Sequence, residues 1–102
     1  MYTGDLLSII VNYFGILASK FQTTNDSVEL SSGAKIRDLF AHLVDKHDQI
    51  FKSYIYDPEK GEMNGEVVVS VNDVPILQMQ GLDTLVGDGD QIDILPIFAG
   101  GG

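Results

Sequence analysis

The chain closes on Ala99, Gly100, Gly101 and Gly102, and these are the residues whose types most suggest chemistry. Glycine loses more conformational freedom on ordering than any other residue, so a glycine run contributes little as packing. As a probe it makes sense. Four residues from Ala99 reach at most about 14 Å when extended. Such a tail can enter a tunnel too narrow for any side chain and present the terminal carboxylate to another protein's active site. A carboxylate is inert until adenylated, after which a sulfur or amine nucleophile can attack it. Judged from the glycines alone, a reactive tail and an ordinary frayed or added terminus explain the run equally well.

No other constellation competes. His42 and His47 are the only imidazoles. Their i, i+5 spacing is not the one-face spacing of a helical zinc pair. His42 falls on the polar face of an expected helix and His47 at its end, near favourable carbonyl dipoles. A surface or helix-end role is expected for both. Asp88 and Asp90 flank Gly89, but no bidentate glutamate follows at the calcium-loop offset, so a glycine-requiring β-turn is expected instead. A Gly-rich phosphate loop with its lysine and a serine nucleophile elbow are both missing from the sequence. No metal site, no bound cofactor and no self-sufficient catalysis are expected.

A length of 102 residues and a hydrophobic fraction of 44% suit one folded domain with a single core. The net charge of −9 disfavours nucleic acid and matches a basic protein partner, although acidity also serves solubility. With no cysteine, disulfides, a thiolate nucleophile and cysteine-ligated metals are excluded. The apolar run 6–17 is broken by Ser8 and Asn12 and is shorter than the roughly 20 residues a membrane helix needs. Asp5 precedes it and no Lys or Arg does, which is wrong for a signal peptide. The expectation is a cytoplasmic protein with no membrane contact.

The elements that must carry the tail follow from periodicity. Ile9, Val11 and Tyr13 alternate with Ile10, Asn12 and Phe14, which reads as a first strand. A loop is expected from Gly15 to Lys20, and a polar turn over Thr23, Thr24, Asn25 and Asp26. Ser27 to Leu30 reads as a second strand, antiparallel to the first. A serine of Ser31-Ser32-Gly33 is expected to cap a helix. Ile36, Leu39, Phe40, Leu43 and Val44 form that helix's apolar stripe, with Lys35, Arg37, Asp38, His42, Asp45 and Lys46 on the solvent side. A turn at 57–61 and an exposed loop to Gly65 lead into the β-prone run 67–71, closed by a turn at Asn72-Asp73. Leu82 and Leu85 are core candidates. A tight turn at 87–90 precedes a last strand, 91–95, with Ile92 and Ile94 on one face and Gln91, Asp93 and Leu95 on the other. A helix between strands allows a parallel pairing. The economical result is an α+β domain with one mixed sheet and the helix across one face.

Several of these segments together resemble a known family. Val11-Asn12-Tyr13-Phe14-Gly15, the helix stripe, Val69-Ser70-Val71-Asn72 and Leu85-Val86-Gly87-Asp88-Gly89-Asp90-Gln91-Ile92 occur in its order and spacing. Leu95-Pro96 and the terminal glycines complete the likeness, which spans nearly the whole chain from Ile9. The family is that of the molybdopterin synthase small subunit, the thiamine-type sulfur carriers and the archaeal ubiquitin-like modifiers. The resemblance implies a β-grasp (ubiquitin-like) fold over 1–98, a mixed sheet of four to five strands with one main helix, and a flexible glycine tail at 99–102. It implies that a ubiquitin-activating-type enzyme spends ATP to adenylate Gly102, aided by Gly101, and that a sulfur donor makes the thiocarboxylate. The tail then enters a larger molybdopterin synthase subunit, making this chain a carrier or the small subunit of that enzyme. The alternative is a modifier joined to target lysines. A third possibility is a plain β-grasp interaction domain. Leu95, Pro96, Phe98 and Gly100 are the implied partner-binding residues. The chain departs from the family in four ways: Ile97 stands where a second proline is common, three glycines replace two, the Met1 to Ser8 segment is longer than typical, and the 51–66 loop is long.

Overall fold

The computed structural model describes residues 6–97; Phe98, Gly100, Gly101 and Gly102 lie outside the described residues. Strand β1 (Leu6–Tyr13) buries Leu7, Ile9, Val11 and Tyr13 and turns the alternate residues outward, as its period of two requires. Strand β2 (Asn25–Ser31) runs antiparallel to it, with Leu7 opposite Leu30 and Ile9 opposite Val28. The polar turn expected over 23–26 is therefore two residues too long, since Asn25 and Asp26 belong to β2. Asp26 pairs with Val11 inside the sheet and is buried.

Between these strands the expected loop is replaced by a helix, α1 (Ile16–Phe21). Its i, i+4 pair Leu17 and Phe21 is buried, which explains why six residues hold a helix that propensity alone leaves marginal. Helix α2 (Ile36–His47) carries the stripe as expected: Ile36, Leu39, Phe40 and Leu43 are buried and Val44 packs against them. No serine caps it. The capping residue is Lys35, whose N–H donates to Asp38 Oδ2 at 2.9 Å, while the Ile36 N–H donates to the Thr84 carbonyl at 2.9 Å. A distant loop thus meets an orphan donor that a neighbouring serine was expected to meet.

The long loop of the sequence reading also contains structure. Helix α3 (Gln49–Tyr54) buries Phe51, and strands β3 (Tyr56–Asp57) and β4 (Glu62–Met63) form a small hairpin with the expected turn at its tip. Strand β5 (Val67–Val71) and the short β6 (Val74–Pro75) are joined through Asn72 and Asp73, both at positive φ. Two 3-10 turns, Ile76–Gln78 and Gly81–Asp83, lead back towards α2. There Leu85 is 60% exposed and Leu82 only half-buried, and the buried apolar residues of this segment are Ile76 and Val86. Leu85 sits in an isolated bridge with Lys35, so alternation gives its neighbour Val86 the core position.

Strand β7 (Gln91–Pro96) completes a five-stranded sheet of order β2-β1-β7-β5-β6. β7 is parallel to β1 and antiparallel to β5, the mixed pairing that the crossover through α2 permits. The single large helix, α2, covers one face of this sheet over Ile9, Val11, Val69, Ile92 and Ile94. This is the β-grasp architecture. Among the described residues no helix is long and apolar enough to cross a membrane.

Candidate functional site

The candidate site is the root of the C-terminal tail, where β7 leaves the sheet. Ile92 and Ile94 point under α2 and are fully buried, while Leu95 points to the open face and is 37% exposed. Opposite it stands Val68 of β5, half-buried on the same face. Phe14 follows Tyr13, which pairs with Ile94, so the parallel register brings Phe14 beside Leu95. The open face is thus divided. Asn12 Nδ2 donates to Gln91 Oε1 at 3.0 Å and to Asp93 Oδ1 at 2.9 Å, making a polar half. Leu95, Val68 and Phe14 make an apolar half at the tail's end.

Two contacts fix the root. Gly15 has φ +58°, and a Cβ there would lie 3.1 Å from Pro96 Cγ. Glycine is required both for the backbone angle and for the approach of the proline ring. On the other side the Ile97 N–H donates to the Glu66 carbonyl at 2.7 Å. Pro96 has no N–H, so Ile97 makes the final described backbone bond before the tail. Shallow apolar depressions flank this point. One, of about 170 Å³, is lined by Ile16, Leu17, Tyr54, Val67, Pro96 and Ile97. The other, of about 270 Å³, includes Val67, Val69, Pro75, Ile76, Leu77 and Ile97. Leu77 is 86% exposed on its rim.

Sequence reasoning placed Leu95 and Pro96 here, and the structure brings them together. The predicted Phe98, Gly100, Gly101 and Gly102 lie outside the described residues. Phe14, Ile16, Ile97 and Leu77 were not singled out for this surface. For Phe14 and Ile16 a signal existed, since both are large apolar residues beside Gly15. Leu77 gave none, because its exposure depends on the chain leaving the sheet at Pro75.

The other titratable groups are structural. Asp88 Oδ1 accepts the Ser8 N–H at 2.8 Å, and Asp90 Oδ2 accepts the Gly87 N–H at 2.7 Å, so both aspartates staple the turn to its surroundings. Among the described residues no cluster of His, Cys, Asp or Glu could hold a metal ion. His42 is exposed on α2. His47 ends α2 as expected, but its side chain is only 14% exposed, with Nε2 2.6 Å from Asp26 Oδ2. The same oxygen accepts the Tyr13 hydroxyl at 2.7 Å, and Lys46 Nζ lies 2.7 Å from the other. Burial alone raises the Asp26 carboxyl, but its bonds with Lys46, His47 and Tyr13 together outweigh that and hold it below its ordinary range. Burial, followed by the hydrogen bond and charge of Asp26, pushes the Tyr13 phenol far above its ordinary value.

Comparison with known proteins adds the following. Residues 11–101 match the ThiS family. The fold superposes on the solution structure of the small archaeal modifier protein 1 from Methanosarcina acetivorans, with a TM-score of 0.73, 29% identity, and 95% of this chain and 99% of that one covered. It superposes on a chain of the BexX/CysO complex of Amycolatopsis orientalis, with a TM-score of 0.69, 26% identity, and 90% and 98% covered. A candidate molybdopterin converting factor subunit 1 from Pyrococcus furiosus gives a TM-score of 0.69 at 24% identity, with 90% and 99% covered. A search of curated protein sequences returns no match.

Proposed function

The chain belongs to the ThiS family, and on that premise we propose that it is a sulfur carrier for molybdopterin biosynthesis whose reactive group is the Gly102 carboxylate. The observation that carries this reading is the extent of the family match, which runs past the packed fold to Gly101. A match confined to the sheet and helix would support only an interaction domain.

In the proposed cycle a carboxylate oxygen of Gly102 attacks the α-phosphate of ATP in a partner's active site, and pyrophosphate leaves. A sulfur nucleophile then displaces AMP from the acyl carbon, leaving a thiocarboxylate. The tail next enters a larger synthase subunit, where its sulfur bonds to a carbon of a pterin precursor and water then cleaves the acyl–sulfur bond, restoring the Gly102 carboxylate. This chain binds no cofactor in the cycle; the ATP belongs to the partner, and the work is done in the cytoplasm. Leu95, Pro96, Phe98 and Gly100 guide the tail into each partner. The net charge of −9 draws in basic surfaces, and the apolar patch around Leu95 supplies the contact. A second reading, conjugation of Gly102 to target lysines, is favoured by the likeness to a small archaeal modifier protein.

Mass spectrometry of the protein purified from its native host tests both readings. An oxygen-to-sulfur exchange at Gly102 is expected. Tail remnants in isopeptide linkage to lysines of other proteins, with no thiocarboxylate, would replace the first reading with the second. A native form ending at Gly101 would move the reactive carboxylate there.

Leu95→Glu tests the docking surface. A buried interface anchor contributes about 2 kcal/mol or more, so the KM for the carrier in ATP–pyrophosphate exchange is expected to rise about thirtyfold. Folding persists, because Leu95 lies on the face opposite the core. Normal copurification of the folded variant with its adenylating enzyme would remove Leu95 from the interface.

A further inference from the structure

Three of the five residues after Ile97 are glycines, which set no direction of their own. The direction must be imposed at the root. On one side Pro96 rests against Gly15, and on the other the Ile97 N–H is held by the Glu66 carbonyl at 2.7 Å. Glu66 is exposed, belongs to no strand, and follows Gly65, where an added Cβ would meet nothing within 4 Å. The connection is held at its β5 end, where Val67 pairs with Pro96, and side-chain packing does not fix its other end.

Asn64 fixes it through hydrogen bonds. Its Oδ1 accepts the Glu66 N–H at 2.8 Å, which closes the loop into a turn. Its backbone N–H donates to the Ile55 carbonyl at 2.7 Å and its Nδ2 to the Ser53 carbonyl at 3.2 Å, so the turn is tied to the end of α3. Asn64 also lines both depressions beside the tail root and a third, polar one that includes Lys52, Asp57 and Lys60. A continuous relay runs from α3 through Asn64 to Glu66 and Ile97.

We propose that Asn64 is the positioning residue of the tail: its Oδ1 holds the 64–66 turn so that Glu66 grips Ile97 and aims the terminal carboxylate at the partner's active site. The proposal rests on the tail chemistry put forward above. It also separates two roles at one end of the molecule. Leu95 determines whether the carrier docks, and Asn64 determines where the docked carboxylate arrives. A small misplacement of a reacting group is costly in rate even when binding is intact.

The test compares Asn64→Ala with Asn64→Asp. The aspartate keeps an acceptor at the Oδ1 position, but it loses the donor to Ser53 and turns a carboxylate oxygen towards that carbonyl. Hydrogen exchange is read at the Ile97 amide, with amides inside β1 and β2 as a fold control. ATP–pyrophosphate exchange is read with the adenylating enzyme from the same host. In Asn64→Ala the Ile97 amide is expected to exchange about tenfold faster, with kcat about tenfold lower and KM within about twofold. Asn64→Asp, which retains the Oδ1 acceptor, is expected to be clearly less affected than Asn64→Ala in both. Unchanged Ile97 protection in Asn64→Ala overturns the proposal. Equal damage in the two variants also overturns it, because the working contact would then be the cap on α3. If the wild-type protein supports no exchange at all, the carrier reading fails, and the Ile97 amide still decides whether Asn64 is the clamp.

Discussion

Deleting Gly101 and Gly102 is expected to reduce ATP–pyrophosphate exchange to background while leaving thermal unfolding unchanged. The two halves of this expectation have separate causes. The buried core runs from Leu7 to Ile94, so removing two residues beyond Ile97 takes no side chain from it. The reaction, by contrast, is an attack by one carboxylate oxygen. Moving that oxygen back by two residues retracts it about 7 Å from an active site built to receive it. Loss of a near-attack position alone removes several orders of magnitude, roughly 10⁵-fold at the low end of measured effective molarities. Gly101→Val complements the deletion, because it keeps the length and adds only a branched side chain. Equal inactivity of the two variants identifies a narrow tunnel; activity of the valine variant identifies a reach requirement without one. If the truncated chain serves cells as well as the full chain, no tail chemistry operates and the protein is an interaction domain.

The residues of the fold differ in how legible they were. α2 could be read because five apolar residues fall on one stripe over about two and a half turns, long enough for the period to be unambiguous. β7 could be read because Ile92 and Ile94 alternate with polar residues directly after a glycine turn. α1 and α3 are six residues each, too short for a period to declare itself, and tertiary burial of Leu17, Phe21 and Phe51 holds them. Leu85 faces solvent because its bridge with Lys35 turns it outward, a direction that a leucine in the sequence does not report. The same limit applies to the site. Leu95 follows from strand parity, whereas Asn64 acts through a turn that exists only once α3, Glu66 and Ile97 have met.

Asp26 shows the converse case, a residue assigned to a surface turn that the structure makes a structural centre. Asp26→Ala is expected to destabilise the protein by about 2–4 kcal/mol, since it removes a buried acceptor and leaves the Tyr13 hydroxyl without its partner. For a domain this size, about 4–8 °C of melting temperature is lost per kcal/mol, so a fall of about 8–32 °C is expected. The carboxylate also points inward from β2, the edge strand of the sheet, where a buried charge opposes pairing with another chain. The pH dependence gives the sharper check. The folded carboxyl lies below its ordinary value of 3.8, so Asp26 contributes stability above that pH, and the contribution disappears as the pH falls through the folded value. The Tyr13 phenol lies above its ordinary value of 10.0, so its contribution is complete below pH 10 and is lost as the pH rises beyond it. Melting temperature against pH should therefore fall at both extremes. Asp26→Ala is expected to flatten the acid limb, and Tyr13→Phe to flatten the alkaline limb and to weaken the acid one in part, since the Tyr13 hydroxyl is one of the bonds that lower the Asp26 carboxyl while those of Lys46 and His47 remain. A wild-type acid limb that survives unchanged in Asp26→Ala would assign acid sensitivity to other carboxylates and reduce Asp26 to an ordinary edge residue.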